Sequence, residues 1–212
     1  MILSHRAIQK VMVEHLPEAV TEHRFPSIQR IADVVYFPKK IIFEVQCSPI
    51  SLGEVQRRNR DYSSLGFTVI WILHDRIYNK KIITPAELYL RQNLSYYTSI
   101  TPFGHGFFYD QLDFFKEMER VYQSAPYLLK DLLPRPLTKT PLLFPRKLKR
   151  RPFYLPGDAT DLLIKENLGK WAWKIERKLF QKWTLKKIMN ELLHSLLYSQ
   201  AAPKNVLSSH KD

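Results

Sequence analysis

The segment from Lys40 to Leu73 constrains the fold more than any other part of the chain. Lys40 to Cys47 is rich in β-branched residues and reads as a strand. Ser51-Leu52-Gly53-Glu54 has the form of a helix capping box, and Leu52, Val55, Tyr62 and Leu65 recur at helical spacing until Gly66. Phe67 to Leu73 is then continuously apolar, as a strand covered on both faces must be. A strand, a helix and a buried strand in that order predict a right-handed parallel crossover, which commits the chain to an α/β architecture.

Around this unit the pattern is simpler. Ile8, Val11, Met12 and Leu16 form one stripe of a helix over about 4–16, ended by Pro17. Residues 19–25 read as a short edge strand and Ile31 to Phe37 as a second strand. From Asn79 onward the signal weakens: a Gly104-His105-Gly106 turn is followed by a short helix expected over 110–123. Seven of the 14 prolines fall between Ser124 and Gly157, which predicts an extended connector without a long helix. Two amphipathic helices are expected over about 158–182 and 184–199. The expected organisation is therefore a domain over 1–123, a proline-rich basic connector over 124–157 and a basic helical region over 158–212.

Charge points to the partner. The 212 residues carry 33 lysines and arginines against 20 acidic residues, a net +13. Residues 145–212 alone hold 15 basic and 6 acidic side chains, so +9 of the +13 is C-terminal. Such an excess favours a polyanion, either nucleic acid or an anionic surface. Cys47 is the single cysteine, which rules out a disulfide framework and a four-cysteine zinc site and fits a reducing, cytoplasmic setting. No run of about 18 apolar residues occurs, so stable membrane insertion is not expected.

The candidate chemistry lies in the strand pair before the crossover. Closure around Pro38-Lys39 pairs residues whose numbers sum to 77, which sets Asp33 opposite Glu44. Pro38 cannot adopt a positive φ, so a tight primed turn is excluded and a slightly longer symmetric loop is expected. Side chains alternate along a strand, so Asp33, Glu44 and Gln46 share a face while Phe43 and Val45 point the other way. Two opposed carboxylates repel unless a cation lies between them or one is protonated. A magnesium or manganese ion held by Asp33 and Glu44 satisfies both and leaves positions for water and a phosphate. The bland alternative is an exposed acidic pair on a solvated sheet face.

At these same residues the chain resembles the competence protein CoiA family, within the PD-(D/E)xK nuclease superfamily. The resemblance covers about residues 4–75. It rests on Arg30-Ile31-Ala32-Asp33-Val34, on Phe43-Glu44-Val45-Gln46-Cys47-Ser48-Pro49-Ile50-Ser51, on Arg58 and Tyr62, and on Val69-Ile70-Trp71-Ile72-Leu73. It implies a restriction-endonuclease-like core, a mixed central sheet flanked by helices, here with a C-terminal helical extension. It further implies metal-dependent hydrolysis of DNA phosphodiester bonds during processing or recombination of DNA taken up in competence. Asp33 and Glu44 would be metal ligands, with Gln46 standing where most of the superfamily has lysine. A glutamine can hydrogen-bond but cannot act as a base near neutral pH, which would leave water activation to the metal. Two departures stand out. With Cys47 as the single cysteine, these residues do not supply the zinc-ribbon-like N-terminal region that the resemblance leads one to expect, and an acidic residue on the first helix is hard to find, with Glu14 a substitute only if it does not simply face solvent.

Several residues are second-rank candidates. Arg58 and Tyr62, at i and i+4, would bracket a phosphate, or equally be a surface arginine above a core tyrosine. His5 and Glu22 are candidate accessory groups near the metal. His74-Asp75 sits where a strand ends, and a turn explains it as well. The aromatics Tyr96-Tyr97 and Phe107-Phe108-Tyr109 are expected in the core rather than stacked on bases. Arg146, Lys147, Lys149, Arg150 and Arg151 are candidate contacts to a DNA backbone. The rival reading is a degenerate nuclease fold that only binds DNA or a recombination or DNA-uptake protein, and a third has Trp171, Trp173 and Trp183 marking a partner or membrane-surface interface.

Overall fold

The computed structural model describes residues 2–137 and 153–165, together with Lys174, Arg177, Lys178 and Gln181. Helix α1 (Ile2–His15) precedes three strands, β1 (Val20–Phe25), β2 (Arg30–Tyr36) and β3 (Ile41–Gln46). Helix α2 (Leu52–Ser64), strand β4 (Thr68–His74), helix α3 (Pro85–Arg91) and strand β5 (Ser95–Thr98) follow. Then come β6 (Phe108–Asp110), β7 (Asp113–Lys116), β8 (Glu119–Gln123) and β9 (Tyr127–Leu128). A two-strand pair, β10 (Arg135–Pro136) with β11 (Phe153–Tyr154), and helix α4 (Ala159–Lys165) end the described fold.

Seven strands form one mixed sheet in the order β1-β2-β3-β4-β5-β6-β9. Pairs β3–β4 and β4–β5 are parallel and the other four antiparallel. The expected crossover is thus β3-α2-β4, and the expected hairpin is β2–β3 with Val34 on Phe43, Val35 on Ile42 and Tyr36 on Ile41, all summing to 77. A 3-10 turn, Phe37–Lys39, makes the connection, and Lys40 takes the left-handed conformation at φ 50°. Lys40 accepts this conformation because its amide bonds Phe37 O and its carbonyl receives Thr68 N, at 3.0 and 2.9 Å. A left-handed non-glycine costs about 1–2 kcal/mol, partly offset by the entropy glycine loses on folding. Lys40→Gly is therefore expected to stabilise by up to about 1 kcal/mol, read as a higher urea midpoint at unchanged m-value.

Helix α2 starts and stops where its sequence signals lie. The Ser51 hydroxyl accepts Glu54 N at 3.2 Å. At the other end Gly66, at φ +78°, lets its own amide reach Ser63 O (2.9 Å) and the Phe67 amide reach Tyr62 O (3.1 Å). These two bonds make a Schellman motif, which turns the chain directly into β4.

Helices cover both faces of the sheet. On one, Ile8 and Met12 of α1 and Leu16 just after it pack with Val34, Phe43, Val45, Ile70, Ile72 and Tyr96, joined by Leu132 and Leu155 from the later chain. On the other, Val55 and Tyr62 of α2 and Ala86 and Leu90 of α3 meet Ile42, Trp71, Leu73 and Tyr97. Each fully buried side chain of this size contributes roughly 1.5–3 kcal/mol of transfer free energy. Tyr96, Tyr97, Phe108 and Tyr109 are all buried, as expected of core aromatics, whereas Phe107, expected with them, is exposed.

One element differs from expectation. The segment 110–123 is not helical: it forms the β7–β8 hairpin, whose turn holds Glu117 at φ 54°. Its strong helix formers are overridden because Asp110, Asp113 and Arg120 are drawn into a buried ion network with Glu87 and Arg91 of α3. Within the proline-rich stretch, Tyr127–Leu128 extends the central sheet, and further along Asp158 caps α4 while accepting the Tyr96 hydroxyl at 2.9 Å. The basic run 146–151 and most of the two expected C-terminal helices lie outside the described residues. Among the described residues no helix is long and apolar enough to cross a membrane.

Candidate active site

Three acidic positions fall in one row across β1, β2 and β3. The β1–β2 register sums to 55, which sets Glu22 beside Asp33, and the β2–β3 register sets Asp33 beside Glu44. Glu22 itself is left-handed, at φ 52°, and its pair with Asp33 is the one step missing from the β1–β2 ladder. At this break Glu22 meets Gln9 and Asp33 meets His5, both from helix α1.

Asp33 is the centre of the row. Its Oδ2 accepts the Val45 amide at 2.7 Å, which fixes the carboxylate, and its Oδ1 lies 3.2 Å from His5 Nε2. The imidazole reaches it from the first turns of α1, and one helical turn on Gln9 Nε2 donates to Glu22 Oε1 (2.5 Å) and to Asp33 O (3.2 Å). The hydrogen bond with Asp33 holds the His5 imidazole above its usual pKa, against the opposing effect of burial. These groups line an open cleft of about 570 Å³ that also receives Arg6, Gln46, Cys47, Ser48 and Arg58.

Glu44 sits behind this wall, fully buried. Tyr62 donates to its Oε1 at 2.7 Å and Arg58 to its Oε2 at 2.6 Å. Arg58 and Tyr62 thus bracket a carboxylate. Burial, reinforced by the Asp33 charge, pushes the Glu44 carboxyl up to about 7 despite Arg58 and Tyr62. The opposed-carboxylate repulsion expected from the register is present.

Gln46 reaches forward along the chain, its Nε2 donating to Ser48 O at 2.7 Å and to Ser48 Oγ at 3.1 Å. Cys47 lines the cleft as an inert thiol, since burial pushes its pKa up to about 11. His74 ends β4 with its Nδ1 3.5 Å from Asp75 Oδ1, outside the residues that line the cleft.

A further shell was not legible in the sequence. Glu54 reads there as the second half of a capping box, but its carboxylate instead gathers three guanidiniums, from Arg30 (2.8 Å), Arg57 (2.7 Å) and Arg58 (3.0 Å). Arg57 and Arg58 together hold the Glu54 carboxyl down at about 2. A carboxylate whose folded pKa is depressed contributes stability that is full above its unfolded value and is lost as pH falls through the folded one. Glu54→Gln is therefore expected to lower the melting temperature at neutral pH, with the difference from wild type closing between about pH 4.5 and pH 2. Equal destabilisation at both ends of that range would show that the carboxylate charge contributes nothing.

The donor chemistry of this cleft fits a hard divalent cation. Asp33 presents a fixed, partly exposed carboxylate with the His5 imidazole beside it, and Glu44 is a buried carboxylate repelled by Asp33. No curated protein and no solved structure matches the chain. The family model for the nuclease-like domain of competence protein CoiA matches residues 6–118, which runs from within α1 to the turn after β7 and contains every residue of the cleft except His5. The chain belongs to the competence protein CoiA family, and its matched region is that family's nuclease-like domain.

Proposed function

We propose that the chain is a metal-dependent deoxyribonuclease with a PD-(D/E)xK-type core, acting on DNA taken up during competence. The observation that supports this most is the alignment of Asp33 and Glu44 on adjacent strands, with Asp33 lining a cleft that also holds Arg6 and Arg58 and Glu44 buried behind it. Asp33 and Glu44 would hold a magnesium or manganese ion. When bound, such an ion supplies charge neutralisation for a phosphate and lowers the pKa of a coordinated water.

The chain's own residues supply the rest. The Val45 amide orients Asp33, and Tyr62 and Arg58 orient Glu44, so neither carboxylate must reorganise as a phosphodiester arrives. Arg58, 30% exposed along its side chain, lies between Glu44 and the cleft and is placed to pair with a non-bridging phosphate oxygen. Gln46, anchored through its amide nitrogen, keeps its carbonyl oxygen to accept a hydrogen bond from a water but takes no proton from it. Arg6 adds positive charge at the cleft, and the net +13 favours arrival of a polyanion.

A second reading rests on the same contacts. With Glu44 tied to Arg58 and Tyr62, and Gln46 tied to Ser48, the cleft resembles a site in which the ligands have been diverted and only DNA or protein binding survives. The two readings separate in one assay: labelled single-stranded, duplex and branched DNA incubated with the purified chain and magnesium, manganese or chelator. Metal-dependent cutting supports the nuclease. Salt-sensitive binding without cutting under any metal overturns it in favour of a binding module.

A further inference from the structure

Asp33 has a second side. Glu44, on β3, has an oxygen engaged by each of Tyr62 and Arg58 and is fully buried. On the other side His5 from α1 and Glu22 from β1 face the open cleft, and each of His5, Glu22 and Asp33 offers one ligand atom within 4.8 Å of the others. The three come from three different elements, which fixes their relative positions through the packing of α1 on the sheet.

The two carboxylates are each oriented by a donor outside the triad. Gln9 donates to one oxygen of Glu22, and the Val45 amide takes one oxygen of Asp33, leaving the other toward His5. His5 and Asp33 are respectively 26% and 15% exposed along their side chains, so an ion can reach them. The left-handed backbone at Glu22 is a cost that a regular edge strand would not carry, and such strain persists where surrounding contacts hold a residue in place.

We propose that His5, Glu22 and Asp33 form a mixed nitrogen and oxygen cation site that selects a manganese-class divalent ion over magnesium. This rests on the reading that the cleft is a metal centre, and adds to it two ligands and a selectivity. Magnesium takes oxygen ligands and retains its waters, whereas an imidazole nitrogen favours first-row transition ions. Asp33 is shared with the Glu44 side, so the nitrogen ligand sets which ion occupies the cleft.

The test is manganese titrated into the full chain, followed by the loss of the free-ion EPR signal and by pulsed EPR for coupling to a 14N nucleus, with magnesium as competitor. The wild type is expected to bind manganese with 14N coupling and to require a large excess of magnesium to release it. His5→Gln is expected to lose the coupling and to weaken manganese binding about 10- to 100-fold, the range commanded even by groups that only orient a ligand. Its magnesium affinity is expected to change far less. Glu22→Gln is expected to weaken manganese while keeping the coupling, which separates ligand loss from misfolding. Manganese bound without 14N coupling, or coupling that survives His5→Gln, overturns the proposal. The cleavage assay run alongside separates the two claims. Coupling without DNA cutting upholds the site and overturns the nuclease, whereas magnesium-driven cutting unchanged in His5→Gln upholds the nuclease and overturns the site.

Discussion

Asp33→Asn is expected to leave the domain folded and to reduce metal-dependent DNA cleavage by about two to three orders of magnitude. The fold should survive because the asparagine carbonyl oxygen can still accept the Val45 amide that Asp33 accepts at 2.7 Å. The loss should be large because the substitution removes the charge at the centre of the acidic row, on which both Glu44 and His5 converge. A bound cation is worth several kcal/mol of transition-state stabilisation, and each 1.36 kcal/mol is roughly a factor of ten in rate. Binding should report the same defect without any reaction. An ion that binds only the folded state raises its melting temperature, so added manganese should stabilise the wild type and not the variant. Cleavage that persists undiminished in Asp33→Asn, or that ignores chelator in the wild type, would sink the nuclease reading. Glu44→Ala adds a complementary signature. It strips Arg58 of its buried partner and leaves the Tyr62 hydroxyl only its longer bond to the Ile31 carbonyl (3.2 Å), so the loss of cleavage should come with a loss of stability.

The acidic row was partly legible beforehand because it depends on local rules. Pro38 and the symmetric hairpin fix the β2–β3 register, and alternation along β3 then decides which side chains flank Asp33. The crossover was legible for the same reason, since the Ser51 cap, Gly66 and the apolar β4 each carry a local signal. Glu22 was visible only as a candidate near the metal. Its place beside Asp33 depends on the turn at 26–28, which closes with Gln29 in the left-handed region and so lacks the glycine that would have announced it. The same blind spot explains the 110–123 segment. Glu117 makes its turn at positive φ without being glycine or asparagine, and the flanking residues are good helix formers. What decides their conformation is a partner 19 or more residues away, and no local pattern carries that information.

That partner is Arg91, and its removal should have the largest effect on stability of any substitution considered. The guanidinium is 4% exposed and reaches Asp110 at 2.8 Å, Asp113 at 3.2 Å and the carbonyls of Ser95 and Gln111, while lying 4.8 Å from the Tyr97 ring centroid. Asp113 is shared with Arg120, which also pairs with Glu87 at 3.0 Å, so three buried carboxylates are held by two arginines. Burial raises the Asp113 pKa, and the two arginines oppose that rise, which shows how closely charge and desolvation are balanced. For Arg91 itself burial works to lower the pKa and is outweighed by Asp110, Tyr97 and Asp113, so the group stays charged throughout. Taking away one partner of such a network leaves uncompensated buried charge and costs roughly 3–5 kcal/mol, against a total of about 5–15 kcal/mol for a typical domain. Arg91→Ala is accordingly expected to lose most of its resistance to urea. Arg91→Lys should recover only a minor part, because a single ammonium cannot reproduce the planar fork that spans two carboxylates and two carbonyls. At a temperature where the folded fraction is preserved, either variant should bind manganese like the wild type, since the network contributes no group to the cleft. A loss below about 1 kcal/mol would mean that the network is offset by its own desolvation. The β7–β8 hairpin would then owe its conformation to apolar packing of Leu112 and Phe114 rather than to charge.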